Sequence, residues 1–195
     1  MKTIFLCFML PALLLSGSDN ALEGKDRPLS VVTDVDLTRY AGLWYEIARL
    51  PNRFQKKCAK DVTAHYTLRT DGKISVLNQC RLEDGTLIKA AGVARRAGKG
   101  TPDSMLKVRF APAILSFIPQ VWGDYQILAL SPDYRYAVVG SPDRSYLWIL
   151  SRSPEMDPGT YRKLVEECRQ QGFNVERLQR TPQSDPFSGH GKGSR

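Results

Sequence analysis

The chain has 195 residues, which points to one domain rather than two. Its make-up, 42% hydrophobic, 25% charged and 9% aromatic, is that of a folded globular protein and excludes wholesale disorder, collagen and coiled coil. With 28 Lys and Arg against 20 Asp and Glu, the formal charge is +8, which permits an anionic partner without choosing between nucleic acid and lipid.

Met1-Lys2 gives a short positive start, and Thr3 to Leu15 is almost wholly apolar, broken by Pro11. Small residues follow at Ser16, Gly17 and Ser18, which completes the pattern of a secretory leader. The run is shorter than the roughly 20 residues a spanning helix needs, so an anchor is the weaker reading. Cleavage is expected after Ser18 or Ala21, so that residues 1–21 depart and take Cys7 with them. Leu15-Ser16-Gly17-Ser18 resembles a bacterial lipoprotein box, but Ser18 stands where the lipidated Cys would be. No covalent lipid anchor is therefore expected. Residues 22–36 read as an N-terminal extension.

Eight stretches then read as strands: Leu43–Leu50, Asp61–Arg69, Lys73–Cys80, Thr86–Arg95, Met105–Phe110, Trp122–Leu130, Tyr136–Val139 and Tyr146–Ser151. Most links are short and turn-like, such as Asp71-Gly72, Asp84-Gly85 and Ser141-Pro142-Asp143. This spacing predicts an all-β meander, and eight such strands lose their open edges by closing into an up-and-down antiparallel barrel. A helix is predicted from Pro158 to Gln171, with Pro at its first turn and Gly172 at its end. Tyr161, Leu164, Val165 and Cys168 give it one apolar face, which should pack outside the barrel. A short strand is expected within Asn174–Arg180. The folded domain is placed at 37–180, and residues 181–195 read as a disordered basic tail.

Export implies an oxidising compartment, and three cysteines remain after the leader. Cys58 and Cys80 flank one predicted hairpin, so they can approach and bond. A strict register would set Cys80 opposite about Val62, so the bond requires the chain before Asp61 to curl back. Cys168 reads as a buried free thiol. The Cys and His spacings fit no zinc pattern, and no metal or other cofactor is expected. With only His65 and His190, no Ser-His-Asp set is credible. No basic helix or aromatic–basic sheet motif appears, and the leader argues against a nucleic-acid partner.

An eight-stranded barrel is either filled by side chains or holds one small ligand. Strand parity sets Tyr146, Trp148 and Leu150 on one side of the last barrel strand. It does the same for Val62, Ala64, Tyr66 and Leu68 on the second, and for Val76 and Asn78 on the third. Aromatics interleaved with Ala and Asn suit a lined cavity, but patterning leaves cavity and solid core open.

Gly42-Leu43-Trp44-Tyr45-Glu46-Ile47-Ala48-Arg49, followed by Pro51-Asn52-Arg53-Phe54, resembles the first strand of the lipocalins, in the form of the bacterial outer-membrane lipocalins and apolipoprotein D. Pro132-Asp133-Tyr134 resembles that family's turn before the seventh strand, with Pro132 a departure beside the Asp-Tyr. Tyr146 to Arg152 resembles its last strand and terminal Arg. Gly42, Trp44, Asp133, Tyr134 and Arg152 are read as structural: Trp44 plugs the narrow end and Arg152 covers its indole face. The resemblance implies a non-enzymatic binder of a small hydrophobic molecule, a fatty acid or lysophospholipid, in the periplasm or at the outer membrane. Parity and the family's inward positions together nominate Ala48, Tyr66, Val76, Asn78, Leu106, Val108, Tyr125, Ile127 and Trp148 as the ligand wall. The alternative it implies is a lipocalin enzyme of isomerase type, with Cys58 as the thiol.

If Trp44 marks the closed end, the loop at 111–122 belongs to the open rim, and it is unusually apolar, with Ile114, Leu115, Phe117 and Ile118. It is read as a lid, a membrane contact or a dimer interface, and the chain as a monomer or homodimer. Arg53, Lys56, Lys57 and Lys60 on the neighbouring loop suit an anionic membrane surface or a carboxylate head group, and equally an ordinary solvated loop.

Overall fold

The structure, a computed structural model, describes residues 27–115 and 118–184. The leader therefore lies outside the described residues. Eight antiparallel strands follow in chain order: β1 (Gly42–Arg49), β2 (Lys60–Leu68), β3 (Ile74–Arg81), β4 (Leu87–Arg96), β5 (Met105–Arg109), β6 (Gly123–Leu130), β7 (Tyr136–Gly140) and β8 (Leu147–Ser151). Each pairs with the next, and β1 pairs with both β2 and β8, so the sheet closes into a barrel. The predicted strands match these to within one residue at each end.

The barrel has two apolar layers. Inside, Trp44, Tyr66, Ile74, Val76, Ala94, Leu106, Ile127, Ala137, Val139 and Leu150 form one buried cluster. Outside, Ile47, Leu128, Val138, Leu147 and Ile149 form a second beneath helix α2 (Pro158–Gln170). Asp157 caps α2 by accepting from Thr160 N at 2.7 Å, and Leu164 and Cys168 are its buried face. A Cβ on Gly140 would lie 2.7 Å from the Phe173 ring, so glycine is what lets the segment after α2 seat on β7.

A short helix α1 (Leu37–Tyr40), which the sequence analysis did not anticipate, crosses the closed end. Asp36 caps it through Thr38 N and Arg39 N, and Tyr40 enters the barrel interior. The preceding residues are integral to the fold: Val32 N donates to Ile127 O at 3.0 Å, and Val35 is buried. The boundary placed at residue 37 is corrected on this ground.

The tail predicted from Thr181 onward also needs correction. β1 pairs with β2 only through Tyr45, opposite Thr63, then swings away. The edge of β1 beyond that point would hold unpaired backbone groups, which is costly when buried. Strand β9 (Gln179–Arg180) pairs with Ala48 and Arg49 instead. Thr181 N donates to Ile47 O at 3.0 Å, and Asp61 N to Pro182 O at 2.9 Å. The Gln183 side chain donates to both Glu46 O and Val62 O, and Ser184 bonds Asp61. Residues 179–184 thus close a seam in the barrel wall. The rest of the predicted tail lies outside the described residues.

Candidate functional site

The closed end is built around Trp44, which is fully buried and donates its Nε1 proton to Tyr40 O at 2.8 Å. The Arg152 guanidinium lies 3.9 Å from the indole centroid and donates to the carbonyls of Leu43, Arg39, Tyr40 and Ala41. Gly42 has φ 97°, and a Cβ there would come within 3.3 Å of Arg152 Nη1. Tyr134 turns the chain at φ 60°, stacks under Arg39 at 4.0 Å and accepts from Asp36 N. Asp133 accepts from Arg135 N in the same turn. These five residues seal one end of the barrel.

Above this floor stand three phenols. The Tyr40 and Tyr125 hydroxyls are 2.7 Å apart, and those of Tyr66 and Tyr125 are 3.0 Å apart. Burial pushes all three up from the ordinary tyrosine range, Tyr66 to about 12. They are neutral hydrogen-bonding groups at any physiological pH.

Towards the other end the inward wall becomes accessible. Val76, Leu106 and Ile127 remain buried beside Tyr66. Val108, Tyr125 and Trp148 are half-buried and pack against the same interior cluster. Asn78 lies between Ala64 and Ala90 across the sheet, with Gly92 next along β4, and none of these four is buried. Residues that face inward yet stay accessible mark the end away from Trp44 as the less tightly packed one. Beneath the closed end, Thr33–Asp36, Thr101, Asp103 and Tyr134 line a polar groove of about 500 Å³, too open to solvent to enclose an apolar guest.

Ala48 departs from the nominated wall. A bulge between Glu46 and Ala48 inserts one residue into β1, so Glu46 faces Leu150 and Ala48 faces Ile149. Parity therefore reverses, and Ala48 belongs to the outer cluster beneath α2. The same bulge sets Arg49 opposite Trp148. Glu46 is buried, but it is fully engaged: Arg49 donates to it at 2.6 Å, and Gln55 and Thr181 donate as well. It holds the seam and the mouth loop together.

At the mouth, Phe54, Tyr146 and Trp148 stack in a column, each ring centroid 5.8 Å from the next. Trp148 Nε1 donates to Gln55 Oε1 at 2.8 Å, which ties the wall to the loop after β1. Gln55 and Tyr40 carry no sequence signal of these roles, since each sits in a helical turn too short to leave a periodic pattern. Arg53, Lys56, Lys57 and Lys60 are all exposed, and none forms a salt bridge with a described residue. Ile114 projects at 79% exposure, while Leu115 and Ile118 are half-buried. Phe117 lies outside the described residues. Arg109 donates to Ala111 O and Pro112 O, fixing the start of this loop, and Arg95 and Arg109 stack on Trp122.

Cys58 and Cys80 are bonded, with Cα atoms 5.6 Å apart. The curl that this pairing requires is present: Asp61 adopts φ 54° and the register shifts between Lys60 and Thr63. In this bond Cys58 has no thiol to act as a nucleophile. Cys168 is free and buried, and burial pushes its thiol up to about 12. Among the described residues no group of His, Cys, Asp or Glu could hold a metal ion.

A family model described as a lipocalin-like domain matches residues 35–183. The chain is 44% identical over 162 residues to temperature-induced lipocalin-1 of Arabidopsis thaliana, covering 83% of this chain and 86% of that one. It is 36% identical to the outer membrane lipoprotein Blc of Vibrio cholerae, covering 91% and 96%, and 30% identical to mouse apolipoprotein D, covering 93% and 95%. Among solved structures, apocrustacyanin C1 shares the fold with a TM-score of 0.62 at 19% identity, covering 82% of this chain and 91% of that one. With the barrel, its sealed tryptophan end and these matches together, the chain belongs to the lipocalins, a family that binds small hydrophobic ligands.

Proposed function

We propose that the protein carries or stores a fatty acid or lysophospholipid in the cell envelope, and that it does so as a binder rather than as an enzyme. The observation that carries this reading is the gradient along the barrel interior. Trp44, Ile127 and Val139 are fully buried, whereas Val108, Tyr125 and Trp148 on the same inner surface remain accessible. An acyl chain entering there gains about 0.8 kcal/mol for each CH₂ it buries. The exposed cations Arg53, Lys56, Lys57 and Lys60 beside the mouth, none in a salt bridge with a described residue, supply the counter-charge for a carboxylate or phosphate head group. The bacterial relative named an outer membrane lipoprotein supports an envelope location. Ser18 in place of a lipobox Cys favours peripheral association over a covalent anchor, in the periplasm or at the outer membrane. There the exposed Ile114, with Leu115, Phe117 and Ile118 of the same loop, would lean on an anionic bilayer surface beside the basic rim.

Mass spectrometry of small molecules extracted from protein purified out of its native envelope tests the carrier reading. An anionic lipid in stoichiometric amount is the expected result, and protein that neither carries nor takes up any lipid would refute it. Trp148→Ala is expected to weaken fatty-acid binding by up to roughly 3 kcal/mol, because it leaves a void in the wall and frees Gln55 from its anchor. An unchanged affinity in the folded variant removes Trp148 from the site.

A further inference from the structure

The phenols above the floor hold more hydrogen-bond donors than they use. Tyr40, Tyr66 and Tyr125 bring one O–H proton each, and two links join the three oxygens. Each link consumes one proton. Whichever direction the chain of bonds runs, one proton is left over, and no described residue accepts it. Tyr125 is central to the chain of bonds and is the member that stays partly accessible on the inner wall.

A second observation lies a little higher. Asn78 Oδ1 is buried and accepts no hydrogen bond from any described residue. Val76 sits opposite Tyr66 in the sheet, and Asn78 is the next inward residue towards the mouth, roughly 7 Å along the strand. The inner wall above the sealed floor therefore offers one unspent donor and, nearer the mouth, one unspent acceptor. A saturated chain inserted methyl end first leaves both unmet, and unmet polar groups in a buried site lower affinity.

We infer that this part of the interior is a recognition site for an oxygen function at the buried end of the guest, and that the preferred ligand is an acyl chain hydroxylated near its far end. A hydroxyl both accepts and donates, so one group type suits Tyr125 and Asn78 alike. The inference rests on the carrier reading, with the head group held by the rim cations and the far end therefore at the phenols. It deepens that reading by naming what the far end must bear.

The test uses delipidated full-length protein and displacement of a fluorescent fatty-acid probe. Palmitic acid is compared with ω-hydroxypalmitic acid, and lauric acid with ω-hydroxylauric acid. An unpartnered hydroxyl carried into an apolar interior weakens binding by roughly tenfold or more. The expected result is that at least one hydroxylated acid binds as tightly as its parent or tighter. In Tyr125→Phe the affinity ratio of hydroxylated acid to parent should then fall about tenfold, and in Asn78→Leu it should fall as well. If both hydroxylated acids bind more weakly than their parents to the unmodified protein, the inference is overturned and the carrier reading stands. If no acid of either kind displaces the probe, both fall together. The comparison on the unmodified protein decides the matter even if a variant fails to fold.

Discussion

Arg152 shows how one side chain can close a barrel. Its guanidinium spends its protons on a row of carbonyls from Arg39 to Leu43 while its face rests on Trp44, so α1, β1 and the end of β8 are fastened at one point. Trp44 and Arg152 were legible in the sequence because both sit in fixed positions of a recurring pattern. Tyr40 was not, since its role depends on a four-residue helix too short to leave a periodic signal. Its consequence is measurable in alkali. Tyr66 is pushed up to about 12 by burial, against about 10 in an unfolded chain, and Tyr40 and Tyr125 move the same way. Below pH 10 both states keep their phenolic protons, so these groups leave stability unchanged. As pH rises above 10 the unfolded chain releases protons that the folded state retains, and stability falls by roughly 1.4 kcal/mol per pH unit for each such phenol. Urea midpoints measured from pH 9 to 12 should drop steeply, and Tyr66→Phe should show a shallower drop.

At the scale of elements, a period of two is easy to see and an inserted residue is not. The eight barrel strands alternate cleanly enough to be placed from sequence. The bulge that turns Ala48 outward has no side-chain signature, because it is a property of how β1 meets β8. The seam segment 179–184 is hidden for a related reason: its polar residues resemble a tail until the unpaired edge of β1 is in view. The disulfide was legible because a hairpin brings its ends together, and it spans a separation of 22 residues. Loop-closure entropy for a crosslink of that length predicts that Cys58→Ala with Cys80→Ala lowers stability by about 3 kcal/mol. Equilibrium urea unfolding checks this, and the double variant should keep the barrel's circular dichroism while its midpoint falls. A loss well under 1 kcal/mol would mean that the unfolded chain already holds these ends close.

For the molecule as a whole, the +8 charge said only that an anionic partner was permitted. The fold adds where the charge stands: Arg53, Lys56 and Lys57 share the mouth loop that carries Gln55 and Phe54, and Lys60 begins β2 directly after it. Attraction of a basic residue to an anionic bilayer is worth about 1 kcal/mol and decays over about 8 Å at physiological ionic strength. On the proposed membrane reading, several cations at one end would orient the protein mouth-down on such a surface, where a lipid could pass without crossing water. Flotation with neutral phosphatidylcholine vesicles should recover little protein, and vesicles containing phosphatidylserine should recover much more. Lys56→Glu with Lys57→Glu should reverse part of that gain, because it changes four units of charge at the rim, and added salt should act in the same direction. Ile114→Ser should weaken recovery at every salt concentration, since it removes an apolar contact and leaves the charge unchanged. Equal recovery on neutral and anionic vesicles would remove the membrane from the mechanism and leave the rim cations to the head group alone.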